Sequence, residues 1–261
     1  PADLHVVVKD ILRHHTVYWP IMLKALELEI PVRVLAHGWW TVEGAKVSKS
    51  VGNVVDPVAI VEKYGVDPLR YFLLREVTLG LDGSYSEDLL QERFTNDLAN
   101  DLGNLIHRSC GMLGRYFDGV LPKEVKAADI ANPLREEGGR LHGQVREAMG
   151  ALDPRGAMEA IWAFVRGANK FVEVSKPWVL AKDPAKGTDL ARVMDTLFES
   201  LRVIGVILNP FLPETSGKIL AELALPTSAS AKEAEAWGLL PAGHRVGKSE
   251  PLFPRAEFEA S

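Results

Sequence analysis

The chain is nearly devoid of cysteine: Cys110 stands alone among 261 residues. A lone thiol excludes an intrachain disulfide and a cysteine-rich metal site. It is expected to act as a small buried apolar side chain, and it fits a reducing cytoplasm. Surplus positive charge is missing too. Lys and Arg number 30 against 35 Asp and Glu, for a net charge of -5 at pH 7. Bulk charge therefore cannot hold nucleic acid, and any RNA contact has to be local, made by a basic stripe and by base-specific groups. No apolar run approaches the length of a membrane span, and the N-terminus lacks a basic region followed by a signal-type apolar core. What is present is an ordinary globular composition, 25% charged and 47% hydrophobic. The length suffices for one large domain or two modest ones.

His5-Val6-Val7-Val8 is a short β-branched run and reads as a buried parallel strand. From about Ile11 to Leu28 the apolar residues take helical spacing, with Pro20 as a break or kink. Residues 31–36, with Val32, Val34 and Leu35, read as a second strand. Strand, helix and strand make a parallel α/β unit, and ligands of such units bind beyond the carboxyl ends of the strands. Lys9-Asp10 and His37-Gly38 are thus expected on one rim. Beside them, Gly44 and Gly52 flank Lys46-Val47-Ser48-Lys49-Ser50. This reads as a polar loop whose two ammonium groups can converge on one polyanion. As bare chemistry it is either a phosphate-handling loop or a solvated basic turn.

Asp56-Pro57 and Asp67-Pro68 each read as a helix start, with Asp as N-cap and Pro in the first turn. Residues 80–84 read as a turn. Beyond Ser86 come helix-period segments at about 87–117, 130–150, 153–174 and 187–209, and a short one from Glu214 to Leu223. Breaks fall at Leu121-Pro122, Asp153-Pro154 and Asp183-Pro184, and Pro210 and Pro213 end the last long segment. Without further strand runs, this half reads as an antiparallel helical bundle, crossed by an irregular tail from about Pro226. The domain boundary is placed near 80–86.

Several of these motifs, in this order, carry a resemblance. Lys46-Val47-Ser48-Lys49-Ser50, followed by Gly52-Asn53, resembles the second catalytic motif of class I aminoacyl-tRNA synthetases. Lys9-Asp10-Ile11-Leu12-Arg13-His14-His15, Trp19-Pro20 and His37-Gly38 resemble the methionyl branch of that class. Asp97 to Arg108, Asn169-Lys170-Phe171 and Lys176-Pro177-Trp178 are similar to its anticodon-binding domain. Leu252-Phe253-Pro254-Arg255 is similar to the end of the family's catalytic core. The resemblance implies that residues 1–83 form the second half of a Rossmann-like catalytic fold and 84–261 a helical anticodon-binding domain. It also implies methionine, methionine tRNA and ATP with Mg2+ as substrates, and no structural metal. The first motif of the class, of His-x-Gly-His type, does not occur, nor does the inserted connective region. A fragment or one half of a split enzyme is therefore expected, inactive alone and needing a polypeptide with the front half.

Adenylate formation displaces pyrophosphate, and positioned ammonium groups stabilise the charge that builds on it. The resemblance gives that task to Lys46 and Lys49, with Ser48 shaping the loop. It gives ATP binding to Asp10, His37, Gly38 and Lys49; on residues alone, Asp10 is equally well a helix N-cap. Ile11 and His15, four apart on one helical face, with Trp19, are implied to line the methionine pocket, although ordinary core is the simpler reading. Asn104, Arg108 and Trp178 are implied to read the CAU anticodon by hydrogen bonding and stacking. Without the resemblance the first two are a solvated face and Trp178 a core anchor. Lys170, Lys176 and Lys182 could add phosphate contacts. Two positions depart from the family pattern: Val8 replaces a usual glycine, and His14 a usual phenylalanine. A non-catalytic tRNA-binding relic and a ligase for another large apolar amino acid stay open as alternatives.

Overall fold

The β-branched run forms β1 (Leu4–Val8), which pairs in parallel with β2 (Arg33–His37). The register runs from Leu4 opposite Arg33 to Val8 opposite His37, so both strands end together. The computed structural model describes residues 2–42, 45–46, 55–122, 132–227, 231–247 and 250–253. The crossover between the strands is less regular than its sequence pattern. A 3₁₀ turn (Lys9–Ile11) leads to a π-helical turn (His14–Tyr18) and then to a short α1 (Trp19–Ala25). Pro20 explains this: it has no N–H for the Thr16 carbonyl and its ring presses on that carbonyl. The turn before it widens, and the Trp19 N–H reaches back to the His14 carbonyl.

Two sequence expectations are corrected next. Ala45–Lys46, expected within the polar loop, form a strand, and residues 80–84 are not all turn. β3 (Trp40–Val42) pairs antiparallel with β4 (Ala45–Lys46) and in parallel with β5 (Gly83–Tyr85). Strands this short carry no readable alternation; tertiary pairing makes them, with the Gly83 N–H donating to the Trp39 carbonyl at 2.8 Å.

Asp56 caps α2 (Pro57–Tyr64) as expected, accepting from the Val58 N–H at 2.9 Å. Asp67 does not start a helix. α3 (Val66–Glu76) begins one residue earlier, after Gly65 at φ +93°, and Asp67 is buried inside its first turn. Its carboxylate accepts the Thr215 N–H at 2.6 Å. Thr215 lies in the first turn of α10 (Pro213–Glu222), whose N-cap residue, Leu212, offers no side-chain acceptor. Asp67 therefore caps a distant helix rather than its own.

The helical part follows the sequence closely. α4 (Glu87–Arg93) continues through a ten-residue π-helical stretch (Phe94–Gly103) into α5 (Asn104–Phe117). Then come α6 (Pro133–Gly150), α7 (Pro154–Ser175), α8 (Pro177–Leu180) and α9 (Gly187–Leu208). Ser86, Asn132 and Asp153 accept backbone N–H groups at the starts of α4, α6 and α7. Every residue of α9 from Thr196 to Leu208 is buried, so this helix forms the centre of the core. Cys110 packs in the same core.

One ion pair sits in that interior: Arg202 meets Glu199 at 2.9 Å. Arg202 also donates to the Glu233 and Ala236 carbonyls, and Glu199 accepts the Leu240 N–H. Both charges are thereby satisfied, and they strap the tail across the helices as expected. α3 joins the two halves. Its Tyr71 hydroxyl donates to Asp97 at 2.7 Å while Trp162 packs on the phenol ring. Burial, then the Asp97 carboxylate, pushes the Tyr71 phenol well above its ordinary pKa. Arg70 donates to the Phe211 and Pro210 carbonyls, and Arg75 pairs with Glu159 at 3.0 Å.

Candidate nucleotide rim and RNA-facing helices

Because β1 and β2 end together, Lys9 and Gly38 leave the sheet at the same edge. The Lys9 ammonium lies 2.6 and 2.7 Å from the two carboxylate oxygens of Asp82 and 4.0 Å from the Trp39 ring centroid. The Trp39 N–H donates to the same carboxylate at 2.9 Å. These bonds, from Lys9 first and then the Trp39 amide, hold the Asp82 carboxyl below its ordinary pKa. Sequence reasoning missed Trp39 and Asp82. The partners lie 43 and 73 residues apart along the chain from Asp82, with no local pattern to join them.

Asp10 lies exposed within the 3₁₀ turn, whose N-cap position is Val8; the N-cap reading of Asp10 is corrected. His37 is half-buried, with Nδ1 2.9 Å from the Gly38 carbonyl, which puts a proton on that nitrogen. Gly38 has a structural reason to be glycine: a Cβ there would sit 2.1 Å from the Leu81 carbonyl oxygen. Lys46 pairs with Thr41 through the backbone of β4. Its side chain, together with Ser48 and Lys49, lies outside the described residues.

The structure brings His15 and Trp19 together, their rings edge to face with centroids 6.0 Å apart. His15 Nδ1 is 3.0 Å from the Ile11 carbonyl, and Ile11 is exposed. His5 was overlooked in the sequence; it meets Trp19 edge to face at 4.8 Å. A cavity of about 430 Å³ opens here, with His5, Trp19, Leu23, Leu28 and Pro31 in its lining. Its described lining includes Trp19 but neither Ile11 nor His15.

On the helical half, Asn104 is the first residue of α5 and exposed. It edges a cavity of about 230 Å³ shared with Asn100, His107 and Phe253. Arg108, one turn on, is not open: its guanidinium holds Glu173 in the last turn of α7 at 2.6 Å. Trp178 follows Lys176, which turns the chain at φ +45°, and Pro177, and it is 37% exposed. It is therefore presented at the surface, not packed as a core anchor. Glu173 and the α7–α8 turn link Arg108 to the Trp178 end of the helices. Lys170, Lys176 and Lys182 are exposed. Among the described residues, no group of His, Cys, Asp and Glu could hold a metal ion, and no helix is long and apolar enough to cross a membrane.

Comparison with known proteins places this architecture. Residues 2–110 match the family model of class I (M) tRNA synthetases, and residues 121–260 match that of the anticodon binding domain of methionyl tRNA ligase. The fold is thus a class I synthetase catalytic-type unit followed by a helical anticodon-binding domain. The methionine–tRNA ligase of Caldanaerobacter subterraneus subsp. tengcongensis is 47% identical over 99% of this chain and 41% of its own length. That of Bacillus subtilis is 44% identical over 99% of this chain and 39% of its own length. The solved Mycobacterium tuberculosis methionyl-tRNA synthetase in complex with methionyl-adenylate superposes with a TM-score of 0.91 at 40% identity, covering 98% of this chain and 50% of that one. The chain belongs to the methionyl-tRNA ligase family. It spans about 40% of the length of the curated relatives it matches.

Proposed function

We propose that this chain supplies the second half of the catalytic fold and the anticodon-binding domain of a methionine–tRNA ligase working in the cytoplasm. The reaction is activation of methionine by ATP, as its Mg2+ complex, to methionyl-adenylate, followed by transfer to methionine tRNA. The observation that carries this reading is the shared end of β1 and β2, which sets Lys9-Asp10 and His37-Gly38 on one rim. Parallel sheets of this kind take nucleotides at that rim. Asp10 and His37-Gly38 bind ATP there; Lys46 and Lys49 face the polyphosphate, with Ser48 shaping their loop; Ile11, His15 and Trp19 bound the methionine side chain. Residues 1–83 are the catalytic part. Residues 84–261 are an antiparallel bundle, a topology favoured by the three-residue link between α6 and α7. There Asn104 and Arg108 bond base edges and Trp178 stacks on an unpaired base, Arg108 exchanging Glu173 for RNA. A polypeptide with the His-x-Gly-His type motif has to complete the site.

Methionine-dependent ATP–pyrophosphate exchange tests this, with the chain alone and mixed with a polypeptide carrying the first motif. Exchange is expected in the mixture only. Lys49→Ala should abolish it and spare tRNA binding, and Trp178→Ala should do the reverse. Anticodon-dependent tRNA binding without exchange in any mixture would make the chain a binding module and refute the ligase reading.

A further inference from the structure

Two small sheets meet at the rim, and among the described residues strand pairing does not join them. β1 and β2 end at Val8 and His37, just before Lys9 and Gly38; β3 and β5 begin at Trp40 and Gly83. The junction is made by three side chains. The Lys9 ammonium lies on the Trp39 ring and bonds both oxygens of Asp82, which also accepts the Trp39 N–H. Behind them, the Gly83 N–H bonds the Trp39 carbonyl, and Gly38 lets the Leu81 backbone approach.

The neighbours of these residues matter most. Lys9 precedes Asp10, and Trp39 follows His37-Gly38. Asp82 therefore ties the two segments assigned to ATP to one another and to the second sheet. We propose that Lys9 and Asp82, seated on Trp39, are positioning residues that set the spacing of Asp10 and His37 for the nucleotide. This rests on the ligase reading above. The ion pair is partly open to water, with side chains 36% and 44% exposed. Its release should loosen the rim rather than unfold it, weakening ATP use by about three- to tenfold.

The test is ATP–pyrophosphate exchange by the chain completed with the first-motif polypeptide, in Lys9→Met and Asp82→Asn forms. KM for ATP should rise about three- to tenfold while kcat and KM for methionine stay within about twofold. Lys9→Arg and Asp82→Glu should recover most of the loss. Asp189→Asn, which breaks an exposed pair with Arg192 far from the rim in sequence, is the control for a lost surface charge. An unchanged KM for ATP, an equal rise for methionine, or no recovery by the conservative variants would overturn the proposal. Amide hydrogen exchange on this chain by itself gives a readout free of catalysis. Asp82→Asn should speed exchange at Trp39 and Gly83 and leave the β1 amides unchanged; unchanged rates at both sites refute the tie. If the unaltered enzyme shows no exchange of pyrophosphate, the ligase reading fails, and the amide rates still decide whether the tie exists.

Discussion

Replacing Asp67 should loosen a helix that lies 148 residues away. Asp67 is 3% exposed, and its carboxylate holds the Thr215 N–H at 2.6 Å, in the first turn of a helix with no side-chain cap of its own. Loss of an N-cap acceptor costs about 0.5–2 kcal/mol. A buried amide left without a partner costs about 1–3 kcal/mol. Both figures describe the same donor, so they overlap rather than add, and Asp67→Ala should cost about 2 kcal/mol. Asp67→Asn keeps an acceptor for the Thr215 N–H and exchanges the other, buried oxygen for an NH2 group; the lost charge near the helix N-terminus costs about 0.3–1 kcal/mol. At about 2–4 °C per kcal/mol for a chain of this size, Asp67→Ala should lower Tm by about 4–8 °C. Urea titration and calorimetry would measure the totals. Amide exchange would place the loss, with Ile219 and Leu220 in α10 opening faster than the interior of α9. An alanine variant losing less than about 0.5 kcal/mol, or an asparagine variant as weak as alanine, would refute the trans-cap reasoning.

Three further outcomes can be checked. Gly38→Ala puts a Cβ 2.1 Å from the Leu81 carbonyl oxygen; backbone has to move, and denaturant unfolding should show a loss of about 1–3 kcal/mol. Arg202→Met leaves the buried Glu199 carboxylate with its ion partner removed; unfolding should reveal a loss of about 3–5 kcal/mol, and the double change with Glu199→Leu should recover part of it. The Asp82 carboxyl, with its pKa depressed when folded, contributes its bond with Lys9 fully above the ordinary carboxylate value and loses it as pH falls through the lowered value. An NMR titration should show the Trp39 amide shifting only in that acidic range, and Asp82→Asn should abolish the shift.

The helices were legible because each carries its own signal. Asp56, Ser86 and Asp153 stand at helix starts and bond the amides that follow, and the buried face of α7 repeats through Ile161, Val165, Ala168 and Val172. Strand order at the rim was legible for the same local reasons, in a β-branched run and a short crossover. The failures are contacts between distant segments. β3 and β5 owe their existence to each other. Asp67-Pro68 has the chemistry of a cap, but Gly65 already starts that helix and the carboxylate turns to α10 instead. Asp82 looks like a turn residue until Lys9 is folded against it. Arg108 read as an open guanidinium because Glu173 is 65 residues further on. Local rules identify what a residue can do, and tertiary partners decide which of those things it does.

The wide coil between α4 and α5 makes chain length itself a constraint. In Phe94–Gly103 each turn holds more residues than an α-turn would. Each residue of an ordinary helix advances the face by about 100°. The coil already holds a surplus, so inserting one more residue there would rotate all of α5, swinging Leu105 and Ile106 out of the core and turning Arg108 away from Glu173 at the end of α7. Substitutions in this stretch can be compensated by their neighbours; an added residue cannot. Natural variants of the chain should therefore vary in length at the turn between α6 and α7 and carry no insertion in this coil.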